Sequence, residues 1–186
     1  MNSIDLMVQE HENILALVKV IRNACCRILE GDSVDVDDFR DMITFARTYA
    51  DQHHHGKEEQ ILFREMMDRL GPTAVNLIQH GMYVEHDMGR FHLGELEQAL
   101  ERYEATQNTE DKLEILVNSG AWANLLQRHI DKEDNVVYTF ARRSLADDIL
   151  QSIDSEVERF EVQAEGDGVQ RTALKLLKQL TGKYSS

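Results

Sequence analysis

The sequence predicts an all-α protein. Its 186 residues include a single proline, and few stretches alternate apolar with polar residues as strands do. Apolar residues instead recur at steps of three and four along four long segments, which is the pattern of helices buried along one side. Because only short breaks separate these segments, we expect an antiparallel up-down four-helix bundle over residues 1–143. A helical C-terminal extension is expected over residues 144–186.

Capping residues and glycines indicate where the bundle helices begin and end. Ser3 and Thr109 are candidate N-caps of the first and fourth helices, and Gly31 is placed to end the first. Gly71 and Pro72 separate the second helix from the third, because proline is favoured in the first turn of a helix. The predicted ranges are 3–30, 35–70, 73–106 and 110–143.

A histidine interrupts the apolar stripe of each bundle helix. In the second and fourth helices a glutamate follows four residues later, on the same face. A lone histidine in such a stripe is more often a core residue than a ligand, but a buried carboxylate is costly unless it is paired or metal-bound. With alternate helices reversed and a rise of about 1.5 Å per residue, the histidines fall at comparable depths. These residues are His11, His54, Glu58, His86, His129 and Glu133.

Neighbouring polar residues are expected to point elsewhere. His53 and His55 lie about 100° to either side of His54 on a helix, so at most one of them is expected at the same centre. His53 is expected to be exposed to solvent, and Asp134 is assigned to a solvated face. The buried stripe of the fourth helix is predicted as Trp122, Leu125, His129, Glu133, Val136 and Phe140.

The set of donor atoms indicates which metals could bind. Histidine nitrogens with two carboxylates and no thiolate suit iron, manganese or zinc, and they disfavour an iron–sulfur cluster. A mononuclear zinc site would use three or four ligands and would leave the others as unexplained buried polar groups. Because carboxylates can bridge two metals, a dinuclear site accounts for more of the residues. A bundle whose histidines are only core residues is the alternative without a metal.

The order of these residues resembles the hemerythrin-like, or HHE cation-binding, family, in particular its bacterial cytoplasmic members. The likeness covers about residues 3–143 and depends on four separated elements in the same order. It implies a four-helix bundle with a non-heme di-iron centre, in which two carboxylates and an oxo or hydroxo group bridge two iron ions. The fuller strings are His54-His55-Gly56-Lys57-Glu58-Glu59, Glu85-His86-Asp87-Met88-Gly89-Arg90 and His129-Ile130-Asp131-Lys132-Glu133-Asp134.

The resemblance also implies roles for single residues, with two departures from the oxygen-carrying members. Those proteins have a second histidine one turn after the third-helix ligand, where this chain has Arg90, so one iron would be a ligand short. His55 is the expected substitute. Their last carboxylate is an aspartate one residue later, where this chain has both Glu133 and Asp134. The implied ligands are His11, His54 and Glu58 for one iron and His86 and His129 for the other, with Glu58 and Glu133 as bridges.

The leading hypothesis is a di-iron protein that binds or reacts with a small ligand, either O2, peroxide or nitric oxide. The missing histidine at Arg90 favours reactivity, such as peroxide breakdown or nitric oxide handling, over reversible storage of O2. The alternative is an iron- or oxygen-responsive regulatory module that signals through residues 144–186. The sequence contains no nucleophile–base arrangement, phosphate-binding loop or nucleotide motif, so no catalytic residue is assigned and enzymatic activity stays an open alternative.

Charge and cysteine content restrict the partners and the compartment. A net charge of -14 argues against binding to nucleic acid or to an anionic membrane, and no apolar run approaches the roughly 20 residues that span a bilayer. Cys25 and Cys26 are adjacent and are not expected to pair with each other. Together with the lack of an apolar secretory segment, this favours a reduced, cytoplasmic protein.

The extension consists of an acidic amphipathic helix, predicted over residues 145–162, and a basic one over residues 169–180. Capping of the bundle is the expected role of these two helices. Pairing with a second subunit and binding of a protein partner are the alternatives.

Overall fold

The computed structural model describes residues 2–185, which form six helices and no strand. The first four helices make the antiparallel bundle, and the last two pack against it, so the predicted fold class is confirmed. Helix α1 is Ser3–Glu30, α2 covers residues 36–70, α3 covers 72–106, α4 covers 109–144, α5 is Asp147–Gly166 and α6 is Val169–Lys183.

Two helices are capped by the residue that precedes their predicted N-cap. The side chain of Asn2, rather than that of Ser3, caps α1, and Asn108, rather than Thr109, caps α4. Ser3 instead donates from its hydroxyl and its backbone N–H to Asp154 of α5, at 2.6 and 2.8 Å. The asparagines satisfy the free N–H groups of the first turn, and this leaves Ser3 to connect the bundle to the C-terminal helices.

A layer of buried polar residues divides the bundle core into two apolar clusters. In α1, for example, Met7 belongs to one cluster and Ile14 to the other, and His11 lies between them. In α2 the polar layer falls between Ala50 and Ile61. The histidines and glutamates are therefore enclosed from both ends by hydrocarbon, where an unpaired charge is expensive.

The bundle helices contain four stretches of wider, π-helical turn. One of them begins at Glu133 in α4 and rotates the residues that follow it. Val137 and Ala141 are buried, whereas Val136 is 52% exposed and Phe140 is half-buried, so the predicted stripe is wrong beyond Glu133. Such turns are rare and occur frequently at functional sites. The four stretches are Ala46–His55, Glu58–Leu62, Ile78–Met82 and Glu133–Val137.

The two C-terminal helices cover the face that α1 and α2 present. Helix α6 packs along α1 and α2, and α5 contacts α1 and the part of α2 that carries Glu58. Ile153 and Val157 of α5 join one apolar cluster of the bundle, and Leu177 and Leu180 of α6 join the other. The extension therefore shares the bundle core. None of the helices in the described range has the length and apolar character that crossing a bilayer requires.

Candidate metal centre

The bundle brings all seven predicted site residues into the buried polar layer. Each is at most 6% exposed, and within each of two adjoining groups the ligand-capable atoms lie within 4.8 Å of one another. Glu58 belongs to both groups. Group 1 consists of His11, His54, Glu58 and Glu133, and group 2 consists of His55, Glu58, His86 and His129.

The Nε2 atoms of the histidines converge in pairs. His11 Nε2 lies 2.9 Å from His54 Nε2 in group 1, and His86 Nε2 lies 3.1 Å from His129 Nε2 in group 2. Glu133 lies between the groups, with Oε2 3.3 Å from His11 Nε2 and Oε1 3.0 Å from His129 Nε2. One carboxylate oxygen therefore faces each group, which is the arrangement that a bridging ligand needs.

Glu58 is held in a similar position by a residue that sequence reasoning missed. Its Oε1 accepts a hydrogen bond of 2.7 Å from the Tyr138 hydroxyl, while Oε2 lies 3.8 Å from His54 Nε2 and 3.6 Å from His86 Nε2. Oε2 of Glu58 and both oxygens of Glu133 are buried without a hydrogen-bond partner. Buried carboxylate oxygens are costly when unpaired, so these residues fit metal ions placed between them and the histidines.

His55 lies in group 2, as expected of the substitute ligand, with its ring stacked on that of His86 at a centroid distance of 3.8 Å. His53 is also buried, at 3% exposed, so the expectation that it faces solvent is wrong. The three consecutive histidines belong to the π-helical stretch Ala46–His55, which departs from the α-helical angles assumed in the prediction. His53 contacts neither group and instead lies 3.1 Å from Glu10.

Every histidine of the two groups has a carboxylate at its other ring nitrogen. A carboxylate only accepts hydrogen bonds, so Nδ1 carries a proton, and the Nε2 atom of a neutral ring is left with a lone pair directed at the group centre. Metal-bound histidines almost always have such a partner, which fixes the tautomer and the ring orientation. The Nδ1–oxygen distances are 2.8 Å for His11–Asp134, 2.8 Å for His54–Glu10, 3.4 Å for His55–Asp51, 2.6 Å for His86–Glu59 and 2.9 Å for His129–Glu85.

Four of these carboxylates form a closed circuit around the bundle. Each of the four carboxylates lies on one bundle helix and accepts a hydrogen bond from a histidine of another. The pairs are Glu10 of α1 with His54 of α2, Glu59 of α2 with His86 of α3, Glu85 of α3 with His129 of α4, and Asp134 of α4 with His11 of α1. Asp134 completes the circuit through His11 while its side chain is 31% exposed, so it lies at the edge of the polar layer and not wholly on a solvated face. The signal was present in the sequence, because an acidic residue flanks one group residue on each bundle helix.

Arg90, at the position of the family's missing histidine, lies outside both groups. Its guanidinium donates to Asp51 at 2.9 Å and to Glu59 at 2.8 Å. These carboxylates are the partners of His55 and His86. The arginine therefore contacts no candidate ligand directly and instead holds the carboxylate partners of two of them.

The pKa values of the buried groups are shifted by burial and by their neighbours. Burial, reinforced by the charge of Glu133, raises the pKa of Glu58 well above its usual range. Burial also raises the pKa of Glu133, but His129 and other imidazoles outweigh it and bring that pKa well below normal. Although burial lowers them, neighbouring carboxylates raise the pKa of His11 to about 8 and that of His129 to about 9. Metal binding must displace these protons.

Comparison with known families agrees with this geometry. The family model described as the hemerythrin HHE cation binding domain matches residues 2–141, which include all seven residues of groups 1 and 2. Comparison with curated proteins and with solved structures gave no significant match. The family match covers most of the chain, and the buried histidine and glutamate groups suit a cation. The chain therefore belongs to the family of hemerythrin HHE cation-binding domains.

Proposed function

We propose that this protein holds two iron ions, one at each group, and that it binds or reacts with O2, peroxide or nitric oxide. The observation that carries the proposal is the placement of Glu133, buried without hydrogen-bond partners, with one oxygen toward the converging histidines of each group. Nitrogen and oxygen donors without a thiolate suit iron. An oxo or hydroxo group is proposed as the further bridge.

The bound iron would supply the redox chemistry and the position at which the small ligand binds. The residues of the chain supply the ligands and the surroundings of the metal ions. Glu58 and Glu133 provide shared carboxylates, the circuit of carboxylates holds each imidazole in one tautomer, and the two apolar clusters exclude water from the polar layer. The Tyr138 hydroxyl donates a hydrogen bond to Glu58, and its ring stacks on that of His11 at 5.6 Å, so an O–H group lies beside group 1.

The two groups differ in their number of histidines. Group 1 offers two and group 2 offers three, because His55 joins the latter. Because Glu58 and Glu133 would serve both metals, group 1 would have four protein donors and group 2 would have five. We therefore expect the small ligand at group 1. The place of His55 in group 2 supports its role as the substitute ligand. With His55 bound, the argument that a missing ligand at Arg90 favours reactivity over storage of O2 would lose its basis.

The test is reconstitution of the purified chain with ferrous iron under anaerobic conditions, followed by metal analysis and optical spectra. We expect about two irons per chain, and oxo-bridge absorption in the near ultraviolet after oxidation. Exposure to O2, peroxide and nitric oxide in separate samples then distinguishes the three ligands. Glu133→Gln should lower the iron content, whereas His80→Ala, at an exposed histidine outside both groups, should not. A single zinc, or no metal after reconstitution, would contradict the proposal.

A second candidate function, regulation through the C-terminal helices, is favoured by one specific contact. Glu161 of α5 binds the buried Lys57, which also binds Glu10, the partner of His54. Iron occupancy would then stabilise the packing of α5 and α6 on the bundle. Hydrogen exchange of the full chain tests this. Protection of α5 and α6 should rise with iron, and equal protection in the two states would exclude the regulatory role.

A further inference from the structure

Lys57 is a lysine whose side chain is fully buried. Burying an ammonium group is expensive unless charged and polar partners surround it. Lys57 Nζ donates to Glu10 and to Glu161, and it lies 3.1 Å from His53 Nε2. His53 Nε2 in turn lies 3.1 Å from Glu10 and 3.3 Å from Glu161. The four side chains form a compact charged cluster beside group 1, although none of them belongs to that group.

Glu10 connects this cluster to a group 1 residue. Its Oε1 faces Lys57 and His53, while its Oε2 accepts the Nδ1–H of His54 at 2.8 Å. Burial alone would raise the pKa of Glu10, but hydrogen bonds from His53 and His54 and the charge of Lys57 bring it well below its usual range. Both oxygens are therefore engaged, and the carboxylate cannot rotate without losing a charged partner.

Glu161 places the other end of the cluster on the C-terminal helices. It belongs to α5, and Gln170 of α6 donates to its second oxygen. The cations beside two other carboxylates of the circuit are not buried, because the side chain of Arg90 at Glu59 is 39% exposed and that of Lys132 at Glu85 is 47% exposed. At Glu10 the cation is buried, and a residue from outside the four-helix bundle helps to hold it.

We propose that Lys57 and Glu161 are positioning residues for His54. Through Glu10 they hold the His54 imidazole with Nε2 toward group 1, and the C-terminal helices thereby set how tightly group 1 holds its metal. The part that concerns metal affinity rests on the proposed function, whereas the part that concerns the imidazole does not.

The chain contains a matched control for this contact. Arg64 of α2 donates to Glu156 of α5 at 3.0 and 3.1 Å. This pair connects the same two helices through a glutamate five positions earlier, but it is partly exposed and touches no group residue. Glu156→Gln therefore removes a link between α2 and α5 without disturbing Glu10. The test variants are Glu161→Gln, which keeps the side-chain shape, and Lys57→Met, which removes the cation.

The first readout is NMR of the metal-free full chain with 15N-labelled histidine, which reports the tautomer and proton exchange of each ring. The wild type and Glu156→Gln should show a protected Nδ1–H at His54. Glu161→Gln and Lys57→Met should exchange this proton at least about tenfold faster, while the ring of His129, on the opposite side of the centre, stays unchanged and reports that the bundle is folded. Unchanged exchange at His54 in the folded Glu161→Gln variant would overturn the proposal.

The second readout is Co²⁺ affinity in competition with a chelator. Loss of a partner that orients a metal ligand typically lowers metal affinity 10–100-fold. In Glu161→Gln we therefore expect the affinity for one of two Co²⁺ ions to fall about tenfold or more. In Glu156→Gln we expect it to fall by less than about twofold. Equal losses for both ions, or none, would contradict the role assigned to Glu161. If the wild type binds no Co²⁺, the proposed function fails, and exchange at His54 still decides whether the residues position the ring.

Discussion

The wider turn at Glu133 can be tested with two adjacent valines, because it determines which of them is buried. Val137 is fully buried and Val136 is 52% exposed, whereas the stripe predicted for a regular α-helix places Val136 in the core. Replacing Val137 by Ala removes two buried methyl groups at about 0.8 kcal/mol each, and the cavity adds to this cost. We therefore expect Val137→Ala to lower the free energy of unfolding by about 2 kcal/mol and Val136→Ala to change it by less than about 0.5 kcal/mol.

Urea unfolding of the metal-free chain measures both variants, and an unchanged m value would show that the unfolded reference is the same. Alanine also has a higher helix propensity than valine, by up to about 0.7 kcal/mol, but this gain applies to both variants and cancels in their difference. For a chain of this length, 2 kcal/mol corresponds to a fall in Tm of about 4–8 °C. A larger loss for Val136→Ala than for Val137→Ala would refute the wider turn and the position of Glu133 that depends on it.

Three further predictions follow from buried groups. Tyr138→Phe keeps the ring and removes the hydrogen bond to Glu58, so the metal-free protein should lose about 1 kcal/mol in urea unfolding; an unchanged midpoint would contradict the bond. Burial raises the pKa of Cys25 to about 11, so mass spectrometry should find iodoacetamide at pH 7.5 only on the exposed neighbouring cysteine, and rapid double alkylation would argue against that burial. The raised pKa values of His11 and His129 stabilise the metal-free fold fully below about pH 6.5, and this contribution is lost as pH rises through 8 to 9. Metal affinity should rise over the same pH range because metal binding displaces those protons. An affinity that does not change with pH would argue against the raised pKa values.

The sequence alone determined the helical class and the residues of the candidate centre. Helix periodicity and glycine breaks are local signals, so four bundle helices and two further helices could be read directly from the order of residues. Polar residues such as Glu58 stood out because they interrupt apolar stripes, where their burial is costly without a partner. His55 was identified through the resemblance to the family, since it compensates for the histidine that Arg90 replaces.

The tertiary structure decided how these residues meet, and the errors have two physical origins, the wider helical turns and the contacts between helices. Prediction assumed α-helical rotation throughout, whereas the π-helical turn at Glu133 accompanies the burial of Val137 in place of Val136. His53 is buried because α5 and α6 dock beside it and bring Glu161 and Gln170 against its ring. The circuit of carboxylates was missed because each hydrogen bond joins two helices. The contact of Glu161 with Lys57 likewise depends on the docking of α5. The spacing of residues along one helix indicates which side chains share a face. Which side chains of two helices meet depends on the relative position of those helices, and only the packing of the core determines that position.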